Sequence, residues 1–281
     1  MTLVQYDTFR VLLTICACSA AYCFVVGQLT HNYSQMDKLW SLLPIAYAWV
    51  IAAKGGMTRL LVIYALVVTA WGIRLTINFA RKGAYSLRFW EGKEDYRWSI
   101  VHASPIFKSN FAWALFNFFF ISIYQNMLVL AICLPAWAAM HSNTAFSTVQ
   151  IIGLVAAVLF LILETVSDEY QWNYHKKKNQ LLENNKLEDL PYPYNLGFNV
   201  TGPWGRMRHP NYLGEQGIWL SLYFFAMGAK LDITLAGPLL LILLFIGSST
   251  LGEAISSKKY PAYASYIQQV KKYIPIRKFK A

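Results

Sequence analysis

Long apolar runs separated by short polar segments dominate the hydrophobic pattern of this 281-residue chain. A helix that crosses a bilayer needs about 20 mainly apolar residues, with a range of about 17–25. Seven runs meet or approach that length, and the second and sixth fit it least well. They cover residues 9–26, 39–53, 60–79, 111–140, 149–166, 212–229 and 233–251. The pattern predicts an all-α integral membrane protein with about seven transmembrane helices.

Lysine and arginine residues collect in three polar segments: residues 81–108, residues 167–209 and the tail after Glu253. Cytoplasmic loops carry an excess of these residues, so the three segments are expected on the cytoplasmic side, although Lys54 and Arg59 then fall on the other side. Seven spans place the N-terminus outside and the C-terminus in the cytoplasm. The membrane is the plasma membrane if the source is bacterial and the endoplasmic reticulum if it is eukaryotic.

Composition supports a lipid environment, because 56% of the residues are apolar and 14% are charged, against about a quarter charged in a soluble domain. No Gly-, Ser- or Pro-rich linker interrupts the chain, so residues 1–281 are predicted to form one domain. Residues 1–110 are expected to supply the substrate-side helices and residues 148–281 the cofactor-binding half. The net charge of +11 lies in loops, which argues against nucleic acid. The expected partners are membrane lipids and a lipophilic small molecule.

One motif, GPWGRMRHPNYLGE at residues 202–215, is unusually polar for this chain. Arg206 and Arg208 can hold phosphate, because the guanidinium fork matches two phosphate oxygens. His209 can donate to phosphate or ribose. Pro210 excludes ordinary helix around His209, so an irregular segment is expected until the sixth span begins.

The same motif continues with Asn211, which presents an amide, Tyr212, which presents a hydroxyl and a ring face, and Glu215. Asp168 ends the fifth span and can accept from an amide or a ribose hydroxyl. A positively charged helix start at the membrane surface is the simpler interpretation of the arginines. Asn211 and Glu215 add nothing to such anchoring, and this favours a ligand site.

Two further features involve aromatic and charged side chains. Tyr260, Tyr263 and Tyr266 are three residues apart, so on a helix they share one face. That face is interpreted as an aromatic belt at the membrane interface or as a wall against a nucleotide, and the belt is favoured. None of the four cysteines has metal-ligand spacing with histidines, so no metal site is expected.

Arg74 lies within the third span. Charged residues inside a span are rare and usually functional, so Arg74 is a candidate functional residue. Glu94 or Asp95 in the following segment is the expected partner of Arg97 or Arg74.

The segment WGxxRHPNYLGE at 204–215 resembles the C-terminal signature of the steroid 5α-reductase and sterol reductase superfamily, W-G-x-x-R-H-P-N-Y-L-G-[DE]. The resemblance implies a seven-helix oxidoreductase that uses NADPH to reduce an activated carbon–carbon double bond in a lipid such as a sterol or an enone. It implies that the cofactor is bound by residues of the C-terminal half, namely Asp168, Arg208, His209, Asn211, Tyr212, Glu215, Tyr260 and Tyr263. Trp204, Arg206 and Glu253 complete the set of cofactor-binding candidates.

The substrate-facing half departs from that family. In steroid 5α-reductases, the pair that polarises the substrate carbonyl resembles a Glu on the second helix and a Tyr on the third. This chain has Trp71 at the corresponding position on the third span and no Glu on the second. Asp37, Tyr47 and Tyr64 are the possible substitutes, and Arg74 is a further catalytic candidate.

Two other functions remain open. A methyltransferase of the isoprenylcysteine carboxyl methyltransferase type shares an Arg-His-Pro-x-Tyr-x-Gly core and would use S-adenosylmethionine. A non-enzymatic lipid-binding relative is the third hypothesis.

Overall fold

The computed structural model describes residues 1–142 and 145–280, and no strand occurs within these ranges. A π-helical segment, Asn117–Tyr124, joins two α-helices into the continuous helix Asn110–Ala131. In chain order the α-helices are α1 (Leu3–Thr30), α2 (Gln35–Leu39), α3 (Leu43–Lys54), α4 (Arg59–Ala80), α5 (Tyr96–His102), α6 (Asn110–Phe116), α7 (Gln125–Ala131), α8 (Leu134–Ala138), α9 (Thr148–Leu182), α10 (Pro210–Met227), α11 (Ala236–Lys259) and α12 (Tyr263–Gln269). Short 3-10 turns lie at Pro105–Phe107, Leu187–Asp189, Tyr194–Leu196, Gly202–Gly205 and Ile233–Leu235.

Within the described part of the chain, five helices are long and apolar enough to cross a membrane, which identifies a membrane protein. They are Leu3–Thr30, Arg59–Ala80, Asn110–Ala131, Thr148–Leu182 and Ile233–Lys259. The predicted count of seven is not confirmed. The second predicted span corresponds to α3, whose 12 residues extend only about 18 Å. The sixth corresponds to α10, whose first two turns carry Asn211, Glu215 and Gln216.

The chain divides into two compact units, which are described separately. Unit 1 consists of Met1–Leu154 with Leu222–Leu239, and unit 2 consists of Val155–Ser221 with Leu240–Ala281. The predicted halves, 1–110 and 148–281, follow chain order. The two units do not follow chain order, because the segment Leu222–Leu239 belongs to unit 1 although it comes after most of the first part of unit 2.

Hydrogen bonds at the two ends of unit 1 define the course of its helices. At one end, Thr2 Oγ1 lies 2.8 Å from His141 Nε2. At the other, the fully buried Lys38 donates from Nζ to the carbonyl oxygens of Phe89 and Glu91, at 2.8 and 2.5 Å. The loop after α4 therefore lies at the end opposite to the N-terminus, the relation that the charge pattern predicts for residues 81–108. The orientation in the membrane stays a prediction.

Helices α2 and α3 form one segment with a break over residues 40–42. Pro44 lies in the first turn of α3, where its missing N–H removes no helical hydrogen bond. The segment packs closely on α4 at Gly72, where a Cβ atom would lie 2.5 Å from the Ser41 carbonyl oxygen and 2.6 Å from Ile45 Cδ1. Only glycine permits this approach.

Unit 2 is built on antiparallel helices. The glycines Gly214 and Gly217 of α10 face Glu164 and Phe160 of α9, and a Cβ atom on either glycine would come within 2.6 Å of those side chains. Helix α9 continues beyond the predicted span to Leu182, so its last turns carry polar residues beyond the apolar part.

Candidate functional site

The polar motif at residues 202–215 spans the start of α10. Pro210 is the first helical residue, two residues before the predicted start of the sixth span, and its missing N–H costs nothing at that position. The segment before it runs beside the C-terminal segment, because the backbone N–H groups of Arg208 and His209 donate to the carbonyls of Lys271 and Lys272, both at 3.0 Å.

A network of charged side chains lies directly before this helix. Glu253 of α11 accepts from Arg208 Nε at 2.8 Å, and its Oε1 also lies 2.9 Å from His209 Nε2. Lys272 Nζ is 3.7 Å from the other carboxylate oxygen. The side chains of Arg208 and Glu253 are 9% and 12% exposed, so the pair is shielded from solvent.

Arg208 is also bound by backbone groups. Its Nη1 donates to the carbonyls of Ile267, at 3.2 Å, and Val270. The guanidinium therefore ties the end of α11 to the end of α12. This contact makes Arg208 a positioning group for the surrounding backbone, and its predicted contact with phosphate stays a prediction. Arg206, in contrast, is exposed.

Two amides of unit 2, the half-buried Asn211 and the buried Asn199, keep hydrogen-bonding capacity. Asn211 Nδ2 donates to Asp168 Oδ1 at 3.3 Å, and Asn199 Oδ1 accepts from the backbone N–H and the hydroxyl of Thr201, at 2.8 and 2.7 Å. Asn211 Oδ1 and Asn199 Nδ2 are buried and have no partner among the described residues. Buried polar atoms are normally paired, so these two groups are suited to a polar ligand.

The aromatic candidates of the motif are held by neighbouring groups. Trp204 Nε1 donates to the Ser167 carbonyl at 2.8 Å. The Tyr212 ring stacks on His209, with ring centroids 5.2 Å apart. One turn deeper, Glu215 accepts from Trp219 Nε1 at 3.1 Å.

The predicted aromatic belt is corrected by the structure. Tyr263 and Tyr266 are 6% and 1% exposed and belong to a hydrophobic cluster inside unit 2. Tyr260 lies before α12 and packs over Lys178, whose Nζ is 5.7 Å from its ring centroid. Tyr263 and Tyr266 are buried and Tyr260 is half-buried, because the chain turns back at this point and places their rings against Phe198. The cofactor roles of Tyr260 and Tyr263 stay predictions.

All eleven cofactor candidates fall in unit 2, whereas the four catalytic candidates fall in unit 1. Tyr47 is fully buried in α3, and the Tyr64 hydroxyl donates to the Ile132 carbonyl at 3.2 Å. Arg74 is half-buried, and ten residues of helix, about 15 Å, separate it from Tyr64. The four candidates therefore do not form one cluster.

Asp37, in the short helix α2, accepts a hydrogen bond from Nε1 of Trp98, in α5, at 2.8 Å. Burial raises the pKa of the Asp37 carboxyl, and the nearby Asp95 acts in the same direction. Asp95 pairs with Arg97 at 2.9 Å, as the sequence predicts. Burial favours the neutral form of Asp95, but the charge and hydrogen bonds of Arg97 hold its pKa below the usual value. Glu94 accepts instead from the backbone N–H of Tyr33, at 2.6 Å.

Sequence reasoning missed two residues of the site. Lys272 lies in a basic tail in which nothing distinguishes one lysine from another, and Asn199 lies in a loop outside the motif. Only the chain's return to α10 brings Lys272 to Glu253. The Asn199 amide, which is 3% exposed, had no sequence signal.

Comparison with known proteins gives a family and an uncharacterised relative. The family described as "Protein of unknown function (DUF1295)" matches residues 23–270. An uncharacterized protein of Schizosaccharomyces pombe is 35% identical over 266 residues, which cover 89% of this chain and 74% of the relative. No solved structure matches the chain. This membrane protein therefore belongs to the DUF1295 family.

Proposed function

We propose that this protein is an NADPH-dependent membrane oxidoreductase that reduces an activated carbon–carbon double bond of a lipid or steroid-like enone. The observation that carries the proposal is the buried Asn211 Oδ1 atom, which has no partner among the described residues and lies in the first turn of α10, two residues after His209 of the charged network. A nicotinamide carboxamide and ribose hydroxyls both donate and accept hydrogen bonds. Their N–H and O–H groups suit the buried Asn211 oxygen, and the Asn199 amide of the same unit offers N–H.

Other residues of unit 2 fit a dinucleotide in further respects. Exposed Arg206 offers a guanidinium to phosphate. Asp168 fixes the Asn211 amide through the 3.3 Å hydrogen bond, so that its oxygen is left for the ligand. The Arg208–Glu253 pair holds the backbone around the site.

Bound NADPH supplies the hydride, and the protein supplies orientation and electrostatics. Polarisation of the substrate carbonyl is proposed to fall to one of the four catalytic candidates, Asp37, Tyr47, Tyr64 or Arg74. The resemblance of residues 204–215 to the reductase signature supports the choice of cofactor. The substrate is an expectation from that resemblance.

A seven-pass arrangement is part of this proposal. The segment α2–α3 returns the chain from the end of α1 to the start of α4, and α10 runs antiparallel to α9. If both segments cross the membrane together with the five long helices, three polar segments lie on the cytoplasmic side. They are residues 81–108, the polar end of α9 and the C-terminal tail. A soluble cofactor would then reach Arg206 from the cytoplasm.

The experiment is a thermal unfolding series on the purified full-length protein with NADPH or S-adenosylmethionine. A ligand at 100 times its Kd stabilises the protein that binds it by about 2.7 kcal/mol. We expect NADPH to raise the melting temperature and S-adenosylmethionine to leave it unchanged. Asn211→Ala should abolish the NADPH effect, whereas Asn185→Ala, at an exposed asparagine of unit 2, should retain it.

Each other result selects a different function. Stabilisation by S-adenosylmethionine alone would replace the reductase proposal with the methyltransferase. Stabilisation by neither ligand would favour a lipid-binding protein without a nucleotide. An NADPH effect that survives Asn211→Ala would remove the proposed site.

A further inference from the structure

The C-terminal residues 271–278 form a loop, here called the tail loop, that is fixed to unit 2 at both ends. Before it, the Lys271 carbonyl accepts from the backbone N–H of Arg208 at 3.0 Å. After it, the Phe279 N–H donates to the Gly205 carbonyl at 2.8 Å, and the Phe279 ring belongs to the buried cluster of the unit. The polar motif before α10 therefore holds the tail loop in place.

The tail loop lies beside α11, near the point where the apolar part of that helix ends. The Tyr273 hydroxyl is 3.1 Å from Ser249 Oγ, and Lys272 Nζ donates to the same Ser249 oxygen at 3.2 Å. Helix α11 belongs to the candidate membrane span Ile233–Lys259, and its apolar run covers residues 233–251. The contact at Ser249 therefore places the tail loop at the level where lipid headgroups meet the apolar interior of a bilayer.

Two isoleucines form the exposed tip of the tail loop. Ile274 and Ile276 are 58% and 66% exposed, and Pro275 between them is exposed as well. The turn is tight, because the Ile276 N–H donates to the Ile274 carbonyl at 2.9 Å. Single exposed apolar side chains are common on proteins, but these residues stand together beside a candidate membrane span. Burial of their side chains among acyl chains is favourable.

Positive charges stand on both sides of this tip. Lys271 precedes it, Arg277 and Lys278 follow it, and all three are exposed. Residues 254–281 contain no Asp or Glu that could neutralise them locally. Membrane topology requires only that cations lie on one side, and it does not require an exposed apolar tip between them. An apolar tip between cations matches a bilayer that is apolar inside and carries anionic headgroups at its surface.

We propose that the tail loop docks on a membrane that contains anionic lipids, with Ile274 and Ile276 among the acyl chains and with Arg277 and Lys278 on the anionic headgroups. The occupant is lipid and not a protein partner, because the tail loop lies beside a candidate membrane span, where lipid is always at hand. The inference concerns the C-terminal segment of unit 2 without nucleotide, so it does not rest on the proposed reductase reaction.

The test is fluorescence quenching in lipid nanodiscs with the full-length protein. Ile276→Cys carries a fluorophore in a Cys18→Ser background, since Cys16, Cys23 and Cys133 are buried and Cys18 is the exposed cysteine. The nanodiscs consist of phosphatidylcholine with a small fraction of one quencher, either phosphatidylserine or phosphatidylcholine with brominated acyl chains. We expect brominated phosphatidylserine to quench about fivefold more than brominated phosphatidylcholine, the factor for one cation at a membrane surface.

Variants assign this preference to the tail loop. Arg277→Gln combined with Lys278→Gln should make the two brominated lipids quench equally. The charge-matched control, Lys176→Gln combined with Lys177→Gln at exposed positions of α9, should keep the preference. A fluorophore on Asn185→Cys, an exposed position after the end of α9, should be quenched by neither lipid.

Three results would overturn the proposal. A label at position 276 that neither lipid quenches lies in water or against a protein. Equal quenching by the two lipids with the cations present shows no preference for anionic headgroups. A preference that survives the loss of Arg277 and Lys278 comes from another part of the protein. The substituted side chains are exposed, so the variants should melt with the parent protein; if one melts lower, the ratio measured with the cations present decides.

Discussion

The charged network before α10 predicts a large effect for Glu253→Gln. The substitution keeps the size and a hydrogen-bonding oxygen but leaves the Arg208 guanidinium, 9% exposed, without its carboxylate. Breaking a buried ion pair by removing one partner costs about 3–5 kcal/mol. The carbonyls of Ile267 and Val270 still accept from Arg208, so we expect a loss of about 2–4 kcal/mol.

The matched control is Glu91→Gln in unit 1. Its partner Arg88 lies at 3.2 Å, but the two side chains are 50% and 70% exposed. Exposed pairs contribute about 0–1 kcal/mol, so this variant should behave almost as the wild type. The comparison therefore separates the effect of burial from the effect of removing a carboxylate.

The assay is thermal unfolding of both purified variants in the same detergent. A loss of 1 kcal/mol lowers the melting temperature of a chain of this size by about 2–4 °C. Glu253→Gln should therefore melt about 5–15 °C below the wild type. Melting temperatures of the two variants within about 2 °C of each other would refute the idea that the buried network holds the C-terminal segment.

Two other predictions concern packing and pH. Gly214→Ala should lower stability by about 1–3 kcal/mol, because the added Cβ atom would lie 2.6 Å from Glu164 Cβ. The control Gly252→Ala would place a Cβ atom with nothing within 4 Å, so it should be neutral or stabilising in the same unfolding assay. Asp37→Asn should become more stable relative to the wild type as pH rises. The pKa of Asp37 is raised in the folded protein, so the wild type loses stability as pH rises from the usual value of 3.8 to the folded-state pKa. Below 3.8 this difference between the two proteins disappears. Melting temperatures from pH 5 to 9 check this, and a difference that does not change with pH would contradict it.

Much of the fold follows from local sequence features. Apolar run length predicts the five long helices, and Pro210 predicts the non-helical segment at His209 that precedes α10. The pair Arg97–Asp95 is also confirmed, since the two residues are neighbours in sequence.

Other features depend on contacts between distant segments, which spacing cannot reveal. Arg208 and Glu253 were each selected by resemblance, but nothing in the sequence pairs them across the chain. The burial of Tyr263 was missed for the same reason. A lipid-facing helix is apolar on all sides, so periodicity does not distinguish its packed face.

The most direct test of the proposed reaction is transfer of deuterium from cofactor to lipid. The full-length protein is incubated with NADPH deuterated at the transferring position and with a membrane lipid extract, and the lipids are analysed by mass spectrometry. We predict a lipid that gains one deuterium from the cofactor and one proton from water, and no such product with Asn211→Ala. Lipids without deuterium, or a lipid that gains a methyl group when S-adenosylmethionine is supplied, would contradict the account.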